Sequence, residues 1–334
     1  MSDFIKIAVD AMGGDGSPKK IIDGIILNHS SNKNNFYQIF GDKNKIDPLL
    51  DGKVSNKFFE VIHTEKKIKS TDSPLEGAKR GKDTSMWLAI QSVKDKNADI
   101  VISAGNTGAL FVIAKLNLKM IPNIDKPALS ALWPNKKGMS VVLDLGANIE
   151  CNEKNLIDFS VMGASLFKSL FPNETPKVAL LNIGSEELKG NEIIKNTYQK
   201  LINLKDQPYE FKGYIEGDHL MNGDVNVIVA DGFTGNVALK TAEGTANFIT
   251  GELKQALTNN IIGKISSLIN KKNLSRFKKR LDPRLYNGAI FIGLDSPVIK
   301  SHGSTDFIGF SNSLSVCEKI IRGNLIEKIS KNII

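Results

Sequence analysis

Ten short apolar runs alternate with longer segments of helical periodicity, and this alternation constrains the fold more than any other feature of the chain. Strands are predicted over residues 5–9, 38–40, 58–62, 100–103, 128–132, 141–144, 178–181, 225–230, 290–294 and 298–300. Helical patterns are predicted over 18–28, 74–94, 155–170, 189–204 and 236–257. Runs that are apolar on both faces and separated by crossover helices indicate a mostly parallel sheet covered on both sides. The expected fold class is α/β, a three-layer α/β/α sandwich. No Gly/Ser/Pro linker, low-complexity tract or repeat divides the 334 residues, so 1–334 reads as a single catalytic unit with a helical excursion over 252–284.

The polar turns that follow the strands carry the chemical information. They are Asp10-Ala11-Met12-Gly13-Gly14-Asp15, Ser103-Ala104-Gly105-Asn106-Thr107, Asp144-Leu145-Gly146-Ala147-Asn148, Asn182-Ile183-Gly184-Ser185-Glu186 and Asp231-Gly232-Phe233-Thr234-Gly235-Asn236. Ligands of open parallel sheets bind beyond the carboxyl ends of the strands. One such turn is ordinary turn chemistry. Five at a single sheet edge, the arrangement expected here, would present backbone N–H groups and helix N-termini to a small oxyanion.

Several function classes are excluded or weakened. No GxGxxG, GxxxxGK[ST] or GxSxG spacing is present, which argues against the common dinucleotide, P-loop and serine-nucleophile sites. His29, His63, His219 and His302 are scattered, so no metal is expected. Cys151 and Cys317 alone make neither a disulfide framework nor a Cys-rich zinc site, which suits a reducing cytoplasm. No run approaches the ~18 apolar residues of a spanning helix, and Met1-Ser2-Asp3 leads straight into a strand without the sections of a signal peptide.

One histidine stands apart. The segment Lys300-Ser301-His302-Gly303-Ser304-Thr305-Asp306 places a cation, an imidazole, hydroxyls and a carboxylate beside a glycine, a composition suited to general acid/base work. Ser304 is also a candidate helix N-cap. Lys79, Arg80, Lys82 and Ser85, at the start of a predicted helix, read on their own as a solvated basic face. Between Lys254 and Arg284, nine basic residues face one acid, Asp282, and account for the whole net charge of +8. Leu257, Ile261, Ile262, Ile265, Leu268 and Ile269, then Leu274, Phe277 and Leu281, recur at helical spacing around Asn270-Lys271-Lys272-Asn273. An amphipathic helical hairpin results, fit for an anionic membrane, an acidic protein, a sister subunit or the body of the fold itself. Phe277 is its one aromatic, so nucleic acid is a poor partner.

Taken in order, the 10–18 opening, the 72–86 segment, residues 103–110, Lys126-Pro127-Ala128, residues 144–148 and 182–191, Glu216-Gly217, residues 231–240 with Glu243-Gly244, and residues 300–304 resemble the bacterial phosphate acyltransferases of phospholipid synthesis (the PlsX type). The resemblance covers nearly the whole chain; Gly16 and Gly81 depart from it. It implies a fold related to isocitrate dehydrogenase and phosphotransacetylase, with the active site in a cleft of a homodimer and no cofactor. It also implies transfer of an acyl group from acyl carrier protein to inorganic phosphate. A cytoplasmic enzyme resting on the inner face of the membrane would pass its product to a membrane glycerol-phosphate acyltransferase. On this reading Lys189, Lys300 and His302 are the catalytic candidates. Asp10, Gly13, Gly14, Asp15, Ser103, Gly105, Asn106, Thr107, Asn182, Gly184, Ser185, Asp231, Asn236 and Ser304 are the phosphate- and substrate-binding candidates. The alternatives are a phosphotransacetylase-like enzyme using a coenzyme A thioester and a dehydrogenase on the related fold.

Overall fold

The computed structural model describes residues 4–333; Met1–Asp3 of the expected N-terminal run lie outside the described residues. The first half comprises β1 (Ile5–Asp10), α1 (Lys19–Ser31), β2 (Asn35–Gly41), α2 (Lys43–Leu50), β3 (Phe59–His63), α3 (Pro74–Lys79), α4 (Ser85–Lys94), β4 (Ile100–Ser103), α5 (Thr107–Asn117), β5 (Ala128–Pro134), β6 (Met139–Leu143) and α6 (Glu153–Leu170). There follow β7 (Lys177–Leu181), α7 (Glu192–Asn203), β8 (Glu210–Ile215), β9 (Val227–Val229), α8 (Gly232–Thr258), α9 (Ile261–Ile269), α10 (Lys271–Arg280), β10 (Ala289–Ile292), β11 (Val298–Lys300), α11 (Phe307–Arg322) and α12 (Leu325–Asn332).

All eleven strands join one sheet in the order β3-β2-β1-β4-β11-β10-β5-β6-β9-β7-β8. Most neighbours are parallel, and the antiparallel pairs are confined to β11–β10, β10–β5 and β5–β6. Direction therefore reverses across the β5–β6 hairpin. The carboxyl ends of β1, β4, β11 and β5 share one edge, and those of β6, β9 and β7 lie at the other. The expectation of five turns at one edge is corrected here: two lie at the first edge and three at the second. Apolar periodicity identifies strands but does not say which neighbour each will pair with.

Helices cover both faces. The β1, β4, β6 and β7 side chains of one face pack with α1, α2, α6, α7, α11 and α12. On the other face α4 and α5 cover one half of the sheet, and Ala238, Leu239 and Ala242 of α8 cover the other. Close contact between α1 and α11 depends on Gly24, where an added Cβ would lie 2.9 Å from the ring of Phe310.

Local sequence explains the remaining departures. The helix expected over 74–94 is two helices. Its chain turns at Arg80–Thr84, where Asp83 has φ +65° and the Thr84 hydroxyl caps α4. The helix expected from residue 189 begins at Glu192, capped by Asn191 after Gly190 at φ +91°. Strand β8, not anticipated, is a polar edge strand with a bulge near Gly213 (φ +80°). Asn270 alone separates α9 from α10, because Lys271–Asn273 already belong to the second helix. Past Ala242, α8 leaves the body of the protein, so the excursion begins before residue 252. At roughly 1.5 Å per residue, this helix is long enough to run from the second edge to the first. The excursion rejoins the fold at the first edge, where Arg280 donates to the carbonyls of Asn135 and Lys136 in the β5–β6 hairpin (both 3.1 Å).

Phe310 is fully buried between α1 and the sheet. Phe310→Ala should lower unfolding stability by about 3–5 kcal/mol, measured by urea denaturation; a loss below about 1 kcal/mol would mean that this contact does not hold the layers together.

Candidate active site

Asp10 ends β1 with its carboxylate removed from water. A buried carboxylate needs donors. The hydroxyls of Ser85 and Ser103 each donate to it at 2.6 Å, and the Met12 N–H donates at 3.2 Å. Burial raises the Asp10 pKa, and the two serine hydroxyls act in the opposite direction. Ser103 Oγ in turn accepts from Gly105 N–H (3.0 Å), so one carboxylate ties the β1 turn, the start of α4 and the β4 turn together. The glycines are needed for approach: a Cβ on Gly13 would lie 2.6 Å from both Gly105 N and Asp10 Oδ2.

The β4 turn opens α5. Asn106 caps this helix by accepting from Ala109 N–H (3.0 Å), while its amide donates to the carbonyls of Ser70 (3.1 Å) and Asp72 (2.9 Å). The first-turn N–H groups of Thr107 and Gly108 have no acceptor within the helix, and they point out of the first edge with the favourable end of the dipole.

Strand β11 lies beside β4 with Lys300 in register with Ser103, and Ser301 N–H donates to the Ser103 carbonyl (2.9 Å). The Lys300–Ser304 turn thereby reaches the same place. Lys300 is buried, and its amine donates to the Ser301 carbonyl. Burial, then the charge of Lys20, bring its pKa down to about 8, against the attraction of Asp10. Lys20, from the first turn of α1, donates to the Gly303 carbonyl; burial lowers its pKa while Asp15 opposes the shift. Asp15 N–H also donates to the Gly303 carbonyl (3.0 Å), closing the β1 turn onto the β11 turn. Burial lowers the His302 pKa, with Lys300, Lys240 and Lys20 acting the same way and Glu243 opposing them. Ser304 Oγ lies 3.0 Å from His302 Nδ1. The expected N-cap role of Ser304 is corrected: Asp306 caps α11 by accepting from Ile308 and Gly309 N–H.

Asp10, Gly13, Gly14, Asp15, Ser103, Gly105, Asn106, Thr107, Lys300, His302 and Ser304 are thus gathered at the first edge. The remaining candidates are not. Asn182, Gly184, Ser185, Lys189, Asp231 and Asn236 lie at the second edge of the same protomer. Three of them serve local structure: Asn182 donates to the carbonyls of Gly184 (3.2 Å) and Lys189 (3.1 Å), Asp231 caps α8, and Asn236 donates to the Leu145 carbonyl (3.0 Å), while Ser185 and Lys189 are exposed. Asp144 there accepts from the N–H groups of Leu129, Gly146, Ala147 and Asn148, a knot that fixes the turn. Lys20 escaped the sequence reading, although its place in the first turn after the Gly-rich segment was a usable signal. Ser85 was noticed but read as part of a basic face.

Three basic side chains, with Lys20 lowering the pKa of Lys300 and both lowering that of His302, a helix N-terminus and two glycine turns make a site for a small anion. Gly13→Ala should push the β1 and β4 turns apart and weaken inorganic phosphate binding by more than about tenfold, read by calorimetry; unchanged affinity would place the anion elsewhere.

Comparison with known proteins agrees with this architecture. Residues 5–328 match the family model described as fatty acid synthesis protein. A protein named phosphate acyltransferase from Pelagibacter ubique is 76% identical over 333 residues, covering 100% of each chain. Another of that name from Rhodospirillum rubrum is 42% identical, covering 100% of this chain and 95% of its own. The fold is shared with a phosphotransacetylase from Streptococcus pyogenes (TM-score 0.62, 15% identity, 98% of this chain and 95% of that one).

Proposed function

We propose the function of this chain from one premise: it belongs to the fatty acid synthesis protein family, the phosphate acyltransferases. It is an acyltransferase of lipid synthesis, and the reaction we assign to its first-edge site is acyl phosphate formation from an acyl thioester of acyl carrier protein and inorganic phosphate. An oxygen of HPO₄²⁻ attacks the thioester carbonyl carbon, the C–S bond breaks, and the P–OH proton ends on the departing sulfur. The products are the acyl phosphate and the free thiol, so no acyl-enzyme is needed.

The observation that carries this reading is the convergence of Lys20, Lys300 and His302 at the first edge, beside the β4 turn that opens α5. The N–H groups of Thr107 and Gly108, with the Gly105 turn and the two lysines, hold phosphate. Lys300 and Lys20 replace Lys189 as the balancing charges, because Lys189 lies at the other edge. Holding phosphate against the carbonyl is worth roughly 7–11 kcal/mol in favourable cases, and a donor aimed at the tetrahedral oxyanion about 3–4 kcal/mol. His302, with its pKa below that of an ordinary imidazole, is neutral at pH 7. It accepts the phosphate proton and passes it to sulfur.

Partners follow from the excursion. Ile261, Ile262, Ile265, Leu268 and Ile269 of α9 are exposed beside the lysines and arginines of α10. The hairpin rests on an anionic membrane, where each basic residue adds about 1 kcal/mol, and delivers a labile product to a membrane glycerol-phosphate acyltransferase. The outer half of α8, with Phe248 and Ile249 exposed, supports a homodimer.

Purified protein should release free carrier from its acyl thioester only with phosphate, and form a product that hydroxylamine traps. No phosphate-dependent release rejects the assignment, and faster turnover of a coenzyme A thioester rejects the carrier as donor. Lys300 is charged below about pH 8 and loses its proton above it, so kcat/KM for phosphate should fall on the alkaline side with a limb at about 8. Lys300→Ala should cost on the order of 100-fold at pH 7 and abolish that limb; a surviving limb assigns it to another group. In sedimentation, wild-type protein should bind vesicles containing anionic lipid and Ile262→Asp with Ile265→Asp should not; equal binding rejects the membrane role of the hairpin.

A further inference from the structure

Asn287 lies just beyond the short Pro283–Tyr286 turn that ends the excursion, at the entry to β10. Its carboxamide is buried, and both ends are directed at the turn after β11. Asn287 Oδ1 accepts from the backbone N–H of His302 (2.9 Å), and Nδ2 donates to Ser301 Oγ (2.8 Å). Ser301 is itself fully buried, with Ser313 Oγ of α11 at 3.3 Å. The peptide joining Ser301 to His302 is therefore gripped at both ends by one side chain from another element.

The segment carrying that side chain is itself anchored. Tyr286 donates its hydroxyl to the Arg280 carbonyl (2.6 Å), and Asn312 Nδ2 donates to the Arg284 carbonyl (2.8 Å). The Arg284 guanidinium binds Asp282 and reaches Asp306 (2.9 Å), the cap of α11. The chain from the amphipathic hairpin thus meets the His302 turn on both flanks before entering the sheet.

We infer that Asn287 is a positioning residue for the transfer reaction: from the base of the hairpin it fixes the Ser301–His302 peptide and so aims the imidazole into the anion site. The inference rests on the proposed role of His302. Phosphate itself is held by the α5 N-terminus and the lysines, so loss of the Asn287 grip acts on the proton transfer and leaves anion binding in place.

Steady-state kinetics on the full-length protein test this. Asn287→Ala should lower kcat on the order of 10–100-fold with KM for phosphate within about twofold. Asn287→Asp keeps an acceptor for His302 N–H and one for the Ser301 hydroxyl, so it should recover much of kcat. Its added negative charge, beside an imidazole faced by Lys300, Lys20, Lys240 and Glu243, should move the acidic limb of the kcat–pH profile upward. Asn312→Ala, which removes a hydrogen bond from the same segment, should leave kcat unchanged. The inference is overturned by wild-type kcat in Asn287→Ala, by equal losses in Asn287→Ala and Asn312→Ala, or by an Asn287→Asp profile with an unmoved limb. Should Asn287→Ala fail to fold, the Asn287→Asp profile decides. If His302→Ala retains wild-type kcat, the underlying reading of His302 fails, a result separate from any of these.

Discussion

A carboxylate removed from water has to be satisfied by neighbouring donors, and at Asp10 those donors come from segments far apart in the chain. Ser85 and Ser103 reach it from the start of α4 and the end of β4. Because Ser103 also fixes Gly105 N–H, the geometry of the β4 turn is inherited from one buried oxygen pair. Gly13 is the other half of this constraint, since a side chain there would meet the Gly105 backbone and separate the two turns. The arrangement of the site depends on this node: Asp10 attracts the Lys300 amine, and the helix N-terminus is held in place.

The second determinant is the reversal of strand direction at the β5–β6 hairpin. It gives the sheet two sets of polar turns that look alike in sequence. One set surrounds the buried Lys300; the other closes on itself through Asp144, Asp231 and Asn182. Long α8 spans the two, rising from the second set and bringing Lys240 and Glu243 within electrostatic reach of His302. The basic hairpin therefore returns to the edge that holds the site, and the same few residues that end it also grip the His302 turn. The basic hairpin and the first-edge site are thus adjacent in the fold.

Much of this was legible in the residues. Doubly apolar strands, crossover helices, the amphipathic hairpin and the polarity of the Lys300–Ser304 segment all follow from local pattern. Strand direction did not follow, because it is set by which strand a run pairs with, and a run such as Val141–Leu143 looks the same either way. Lys20 was hidden by its ordinary context in the first turn of a helix; its role depends on the Gly303 carbonyl, some 280 positions later. Strand β8 was missed because Glu210, Lys212 and Gly213 interrupt its apolar residues, although Phe211, Tyr214 and Ile215 pack on the core. Lys189, Gly184 and Ser185 satisfied every local criterion for an anion turn, and only the topology separates them from the others.

The central claim concerns where phosphate sits, and a crystal structure of the protein with phosphate bound tests it most directly. The account places the ion within hydrogen-bonding distance of the Thr107 and Gly108 N–H groups and of Lys300 or Lys20, with His302 facing it. Phosphate found in the turn between Asn182 and Lys189, with the first-edge turns vacant, would contradict it.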